Sequence, residues 1–236
     1  MRKIFGSFLC CFVPSKNARQ RIRERFCVDA GKTRNYGGKN NKIILVKNGV
    51  EKTVKKIPGC DIKFSGDNNI IKIYEPIRRL HLAAKMYGDS NITIMPSHFI
   101  DRRLKIRGMH YCNLFIDSDL STNSECLLEF ADKTDIHIGR DCMFADDVEI
   151  RTGDGHKIEN AKTGKCINHS KNVYIGNHVW LGKNVMILKG CKISDNSVVG
   201  ARSVVSGVFD KGGVVIAGVG AKVIKTGINW DRCASD

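Results

Sequence analysis

From residue 70 onward, apolar positions recur in short bursts, each introduced by an amide or carboxylate side chain. The bursts are Asn91-Ile92-Thr93-Ile94, Asn113-Leu114-Phe115-Ile116, Asp135-Ile136-His137-Ile138 and Asn172-Val173-Tyr174-Ile175, with an earlier copy at Ile71 and Ile73. Within each burst, every second residue is aliphatic, the pattern of a strand with one buried face. The closing aliphatics Ile73, Ile94, Ile116 and Ile138 are spaced 21, 22 and 22 residues apart. Regular spacing of this kind marks a solenoid, in which each unit buries its apolar face on the next. The Asn or Asp ahead of each strand is expected at a corner, because these residues tolerate left-handed dihedrals.

Toward the C-terminus the period tightens to six. Aliphatics stand at Ile175, Leu181, Ile187, Ile193, Val199 and Val205, and four positions after the first five come Val179, Val185, Cys191, Ser197 and Ser203. Ile138, Phe144 and Ile150 form the same register earlier, with Cys142 and Val148 at the small position. A helical period does not fit, and plain alternation gives no reason for six. A triangular coil does: each six-residue unit makes one flat face, and three complete a turn of about 18 residues. The expected organisation is a segment over 1–41, irregular coils over 42–135 and regular coils over 136–207. A final coil and short C-terminal tail follow over 208–236.

The first 27 residues differ. An apolar block from Ile4 to Val13 is followed by Pro14 and then Lys16, Arg19, Arg21, Arg23 and Arg25. A dense basic run after the block is unlike a signal peptide. Two readings stay open: a solvated basic helix capping the domain, or an anchor that dips aromatics into an anionic membrane surface. No apolar run approaches the roughly 20 residues needed to span a bilayer.

Over all 236 residues the formal net charge is +15, which calls for an acidic partner: nucleic acid, anionic lipid, acidic polysaccharide or a phosphorylated cofactor. No helix combines clustered Lys/Arg with base-reading residues, so nucleic acid is not expected. Ten cysteines without zinc-finger or Cys-x-x-Cys spacing read as free thiols, several at small core positions. No histidine spacing suggests a metal site.

Between Ile150 and Val173 the six-residue register is lost. The stretch "RTGDGHKIENAKTGKCINHSK" is too rich in Gly, Asn, Lys and Thr to continue a coil, so an extruded loop over about 153–171 is expected. Loops on rigid scaffolds commonly carry function. His156 lies at its start, beside Asp154, Gly155 and Lys157. Taken alone, it is a polar loop residue. His178, in the variable fourth place of "IGNHVW", is expected at the surface or at an interface. Trp180 is expected to face outward, directly before inward Leu181.

The units "IGNHVW", "LGKNVM" and "VGARSV" resemble those of the hexapeptide-repeat acyltransferases, and the resemblance covers most of residues 42–230. It implies an all-β fold, a left-handed parallel β-helix, with the basic N-terminal segment, extruded loop and short C-terminal tail as appendages. The run "RTGDGHKI…GKCIN…KNVYIGNHVWLGKNVMILKG" is similar to bacterial O-acetyltransferases of surface polysaccharides, particularly those acting on polysialic acid. The resemblance implies acetyl-CoA as co-substrate without a metal, a glycan acceptor, and a homotrimer with sites between subunits. It implies a bacterial cytoplasmic location, peripheral to the membrane if residues 1–27 bind lipid. It makes His156 the general base, with Asp154 or Glu149 as the group that orients it, and puts Trp180 in the active site. Gly182, Gly200 and Ala201 would allow a pantetheine arm close to the coils, or else are simply tight corners. Lys222, Lys225 and Arg202 would meet coenzyme phosphates. Gly220 stands where the family commonly has proline. Rival readings are an N-acetyltransferase or serine acetyltransferase of the same fold, and a non-catalytic scaffold.

Overall fold

Three stacks of inward aliphatic side chains organise the chain. The computed structural model describes residues 32–233 apart from 37, 78 and 98; the segment 1–27, read as a capping basic helix or a membrane anchor, lies outside the described residues. On the first face, parallel pairing aligns Ile73, Ile94, Ile116, Ile138, Ile175 and Ile193 in one column. The second face aligns Ile100, Thr122, Phe144, Leu181, Val199 and Ile216. The third aligns Ile62, Ala84, Ile106, Leu128, Ile150, Ile187 and Val205. All of these are buried, and each fully buried aliphatic contributes about 1.5–3 kcal/mol of apolar transfer. The columns turn the chain into a three-sided, left-handed parallel β-helix.

The small position of each unit is where the chain turns inward. Cys142, Val179, Val185, Cys191, Ser197 and Ser203 are all buried there. Burial pushes the thiols of Cys142 and Cys191 up to about 12, so they serve as small apolar fillers. The seven cysteines among the described residues are free.

Two expectations need correction. The β-helix includes part of the stretch read as a basic segment: Lys32–Asn35 is a strand paired in parallel with Cys60–Phe64. Its pairing is made by backbone groups, which a count of basic side chains does not register. Nor do the Asn and Asp residues ahead of the strands carry the left-handed dihedrals. Those fall two positions earlier, on Asp89, Tyr111 and Lys133. The amides and carboxylates instead form a ladder between coils. Asn91 Nδ2 donates to Asn113 Oδ1 at 3.0 Å, Asn113 Nδ2 to Asp135 Oδ1 at 2.8 Å, and the Asp135 backbone N–H to Asn172 Oδ1 at 3.0 Å.

At the corner between first and second faces, successive coils place Asp119, Asp141, His178 and Asn196 at positive φ. Asp and Asn suit this region, and histidine visits it less readily. The contacts that hold His178 there are described below.

Phe144 fills the second-face column with no exposed surface. Phe144→Ala should destabilise the chain by about 3–5 kcal/mol, read as a lowered midpoint in denaturant unfolding with the slope unchanged.

Candidate active site

The loop that interrupts the coils leaves from a closed neck. Thr152, fully buried, accepts a hydrogen bond from Ala131 N–H at 2.8 Å and shares one with Thr134 Oγ1 at 2.6 Å. Its carbonyl receives Lys171 N–H at 3.0 Å, which brings the two ends of the loop together. A Cβ on Gly153 would lie 2.6 Å from Ala131 Cβ and 2.9 Å from Ser170 Oγ, so the neck admits only glycine there. Beyond it the loop folds on itself as a hairpin, with Glu159 bridged to Cys166 and Ile167 N–H bonded to Ile158 O at 2.9 Å. The sequence suggested only irregular chain here. Hairpin pairing through a polar, glycine-containing turn has no hydrophobic period to announce it.

Asn168 stitches the base of this loop. Its Nδ2 donates to Asp154 Oδ2 and to the His156 carbonyl, both at 2.8 Å, and its Oδ1 accepts from Ile158 N–H at 2.7 Å. Lys189, from the next coil, ties Asp154 Oδ2 and the Asn168 carbonyl. The His156 backbone is therefore fixed while its imidazole is exposed, with no hydrogen-bond partner among the described residues. Neither proposed orienting group meets it within the chain. The Lys189 ammonium and the Asn168 amide occupy Asp154, and Glu149 pairs with Arg151. Asp154 shapes the loop instead.

Trp180 lies on the second face, 37% exposed, paired in register with Met143 and Val198. The loop leaves between Val148–Arg151 on the third face and Val173–Ile175 on the first. His156 and Trp180 thus project from different parts of one coil, and no hydrogen bond or ring contact joins them among the described residues.

His178, expected at the surface or at an interface, is engaged by the chain's own C-terminal residues. Its side chain, only 23% exposed, stacks on Trp230 with ring centroids 4.1 Å apart and planes 10° from parallel. Nδ1 lies 2.6 Å from Asp141 Oδ2 and Nε2 lies 2.9 Å from the Trp230 carbonyl. The partner comes from 52 residues further along the chain, beyond the reach of any local pattern. Burial disfavours ionisation of Asp141, but hydrogen bonds from His178 and Arg232 outweigh it and hold the carboxyl below the usual range.

The candidate coenzyme residues gather on the last coils. Arg202 sits at a corner with positive φ, and Lys222 and Lys225 lie on the outermost strand, Lys222–Thr226. All three are exposed, and none is ion-paired among the described residues. Ala201 is exposed beside Arg202. Gly182 has a structural reason to be glycine: a Cβ would lie 2.8 Å from Ala201 N and 2.9 Å from Val199 O. Gly200 is more loosely constrained, with Ala217 Cβ at 3.1 Å. The next coil alone accounts for both glycines. No cluster of three His, Cys, Asp or Glu able to hold a metal occurs among the described residues.

The profile of the bacterial transferase hexapeptide family (six repeats) matches residues 172–207. The solved polysialic acid O-acetyltransferase OatWY is 30% identical, with a TM-score of 0.68, over 86% of this chain and 92% of that one. The chain belongs to the hexapeptide-repeat acyltransferases. A second solved structure of this family, the polySia specific acetyltransferase NeuO, is 26% identical with a TM-score of 0.72, covering 88% of this chain and 91% of that one. The polysialic acid O-acetyltransferase of Neisseria meningitidis is 35% identical over 153 residues, which is 65% of this chain. The match spans 58% of that curated relative's length. The hexapeptide profile contains Trp180, Gly182 and the Gly200–Arg202 corner, but neither the His156 loop nor the C-terminal residues that pack on His178. Those two features distinguish this chain from a bare coil of repeats.

Asn168→Ala should speed amide exchange across residues 154–168 by about tenfold, the effect of losing about 1–1.5 kcal/mol of local hydrogen bonding. Lys189 and Asn168 lower the Asp154 pKa, so its tie to Lys189 persists at neutral pH and through ordinary Asp titration near 4. It is lost only as pH falls through that lowered value. Loop protection, with exchange corrected for its intrinsic pH dependence, should therefore hold through about pH 4 and fall only as pH drops through that lowered value, and Asp154→Asn should remove this dependence.

Proposed function

We propose that this protein is an acetyl-CoA-dependent O-acetyltransferase acting on an acidic bacterial surface glycan, with sialic acid-containing polymers as the leading acceptor class. The observation that carries the reading is an exposed histidine on a braced loop, within a fold 30% identical to a polysialic acid O-acetyltransferase along nearly all of that chain. Histidine titrates near working pH and can take a proton from an attacking hydroxyl.

His156 removes the proton from the acceptor hydroxyl as its oxygen forms a bond to the thioester carbonyl carbon. The tetrahedral oxyanion collapses, the carbon–sulfur bond breaks, and the imidazolium returns its proton to the departing thiolate. Transfer is direct, without a covalent enzyme intermediate. The Trp180 indole forms a flat wall beside the reacting groups and offers its N–H. Arg202, Lys222 and Lys225 have no ion-pair partner among the described residues; the two lysines suit coenzyme phosphates as point charges and the Arg202 guanidinium suits them as a planar fork. The net charge of +15 suits a polyanionic acceptor and raises its encounter rate.

His156 and Trp180 project from different sides of the coil. A homotrimer with His156 of one subunit facing Trp180 of the next is the arrangement we infer, with the loop hairpin reaching across the contact. The N-terminal basic segment is proposed to hold the enzyme at an anionic membrane surface.

His156→Ala should lower glycan-dependent release of coenzyme thiol by at least about a hundredfold, the usual scale for a general base, while the protein still folds. Trp180→Ala should reduce it about tenfold or more. Unchanged turnover in His156→Ala would remove the base assignment. A native protein without turnover on any glycan would favour a scaffold role. Deleting residues 1–27 should weaken co-sedimentation with anionic liposomes, and equal binding by the shortened protein would contradict the anchor.

A further inference from the structure

After its last coil the chain reverses and runs back down the outside of the helix. Ile228 N–H bonds Gly213 O at 3.0 Å, and the chain then passes over the corner between first and second faces. Trp230 lies on the His178 ring, and its Nε1–H donates to the His178 carbonyl at 2.8 Å. Two residues later Arg232 spreads its guanidinium over two earlier coils. Nε donates to Asp141 Oδ1 at 3.0 Å, Nη1 to Ser121 Oγ at 2.5 Å, and Nη2 to the carbonyls of Asp119 and Cys142, each at 3.1 Å. The strap therefore grips three successive corners, at Asp119, Asp141 and His178. A planar fork with five donors is what such a grip requires.

We propose that this strap is a positioning element of the transfer site, with Trp230 setting the orientation of Trp180. The proposal rests on the role given above to Trp180. The two indoles are 6.1 Å apart and inclined at 47°, within the range where aromatic pairs attract edge to face. Trp180's in-register neighbours are Met143 and Val198, one flexible and one short. Among the described residues, Trp230 is the aromatic contact that restricts the Trp180 ring. Trp230 is only 7% exposed, so it acts through Trp180 and is a positioning residue, not a catalytic one.

His178 makes the coupling tight. It is held at φ 53°, two residues before Trp180, by a ring stack, the Asp141 carboxylate and the Trp230 carbonyl. The Trp230 carbonyl and the Asp141 carboxylate both accept, so each ring nitrogen donates to its own partner. The backbone and the ring of the Trp180 turn are thus fixed by the same C-terminal residue. The geometry of the second face near Trp180 becomes a property of residues 228–232, far away in sequence.

The chain has two tryptophans, which makes the test direct. Indoles this close should give a bisignate exciton couplet in circular dichroism, absent in Trp180→Ala and in Trp230→Phe. Trp230→Ala should lower kcat/KM for the acceptor about tenfold, measured where the β-sheet signal is unchanged. Trp230→Phe, which keeps the stack on His178, should recover most of it. In Trp230→Phe the emission comes from Trp180 alone, and its acrylamide quenching should be enhanced in the added presence of Arg232→Ala. Native kcat/KM in Trp230→Ala, beside an impaired Trp180→Ala, would overturn the positioning role and leave only a stabilising one. Full activity in Trp180→Ala would overturn both this proposal and the role of Trp180. If Trp230→Ala does not fold, Arg232→Ala carries the test: a similar loss with a weakened couplet supports the proposal, and native activity refutes it.

Discussion

Each coil of this protein satisfies its backbone only through the coils on either side. The strands are short, often two residues, and Trp180–Leu181 has nothing of its own to hold it flat. It is held because Phe144 and Val199 lie in register with Leu181 and fill the same column. Parallel pairing between coils and the inward aliphatic every sixth residue are one constraint seen from two sides. A shift by one residue would turn the whole column outward. This stacking also dictates Gly182 and more loosely constrains Gly200; their missing Cβ atoms make room for the next coil.

On this rigid lattice the proposed site rests on what is attached to its outside. The chain makes two such attachments. One is the loop from the neck at Thr152, braced by Asn168 and by Lys189 from the adjoining coil. The other is the return of the chain at Trp230 and Arg232 along a row of corners. Both attachments use polar contacts and rings on the outside of the helix, leaving the three inner columns undisturbed. The loop fixes a histidine backbone while leaving its ring exposed, and the strap fixes the surroundings of a tryptophan on another face. The subunit contact proposed above would bring the two together.

The inner columns were legible in the sequence because burial imposes a period, and the period survives on paper. The loop was legible as its interruption. The corners ahead of the first-face strands were not. Asn113 and Asp135 looked like turn residues but form an inter-coil ladder, while the left-handed dihedrals fall on Tyr111 and Lys133, side chains with no such signature. His178 looked like a surface or interface residue because its ring partner, Trp230, comes from far along the chain. Asp154 looked like a partner for His156 because they are neighbours in sequence, yet Lys189 from the next coil takes its carboxylate. In each case the deciding contact joins residues from different coils, and local spacing carries no record of it.

Acetyl transfer to a glycan hydroxyl leaves a direct mark on the product. Proton NMR of a sialic acid polymer incubated with the enzyme and acetyl-CoA would show it. The proposed activity predicts a new ester methyl resonance and a downfield shift of the proton on one acetylated carbon, both growing with time and removed by mild base. An unchanged spectrum, with sialylated and neutral glycans alike and with acetyl-CoA intact, would contradict it.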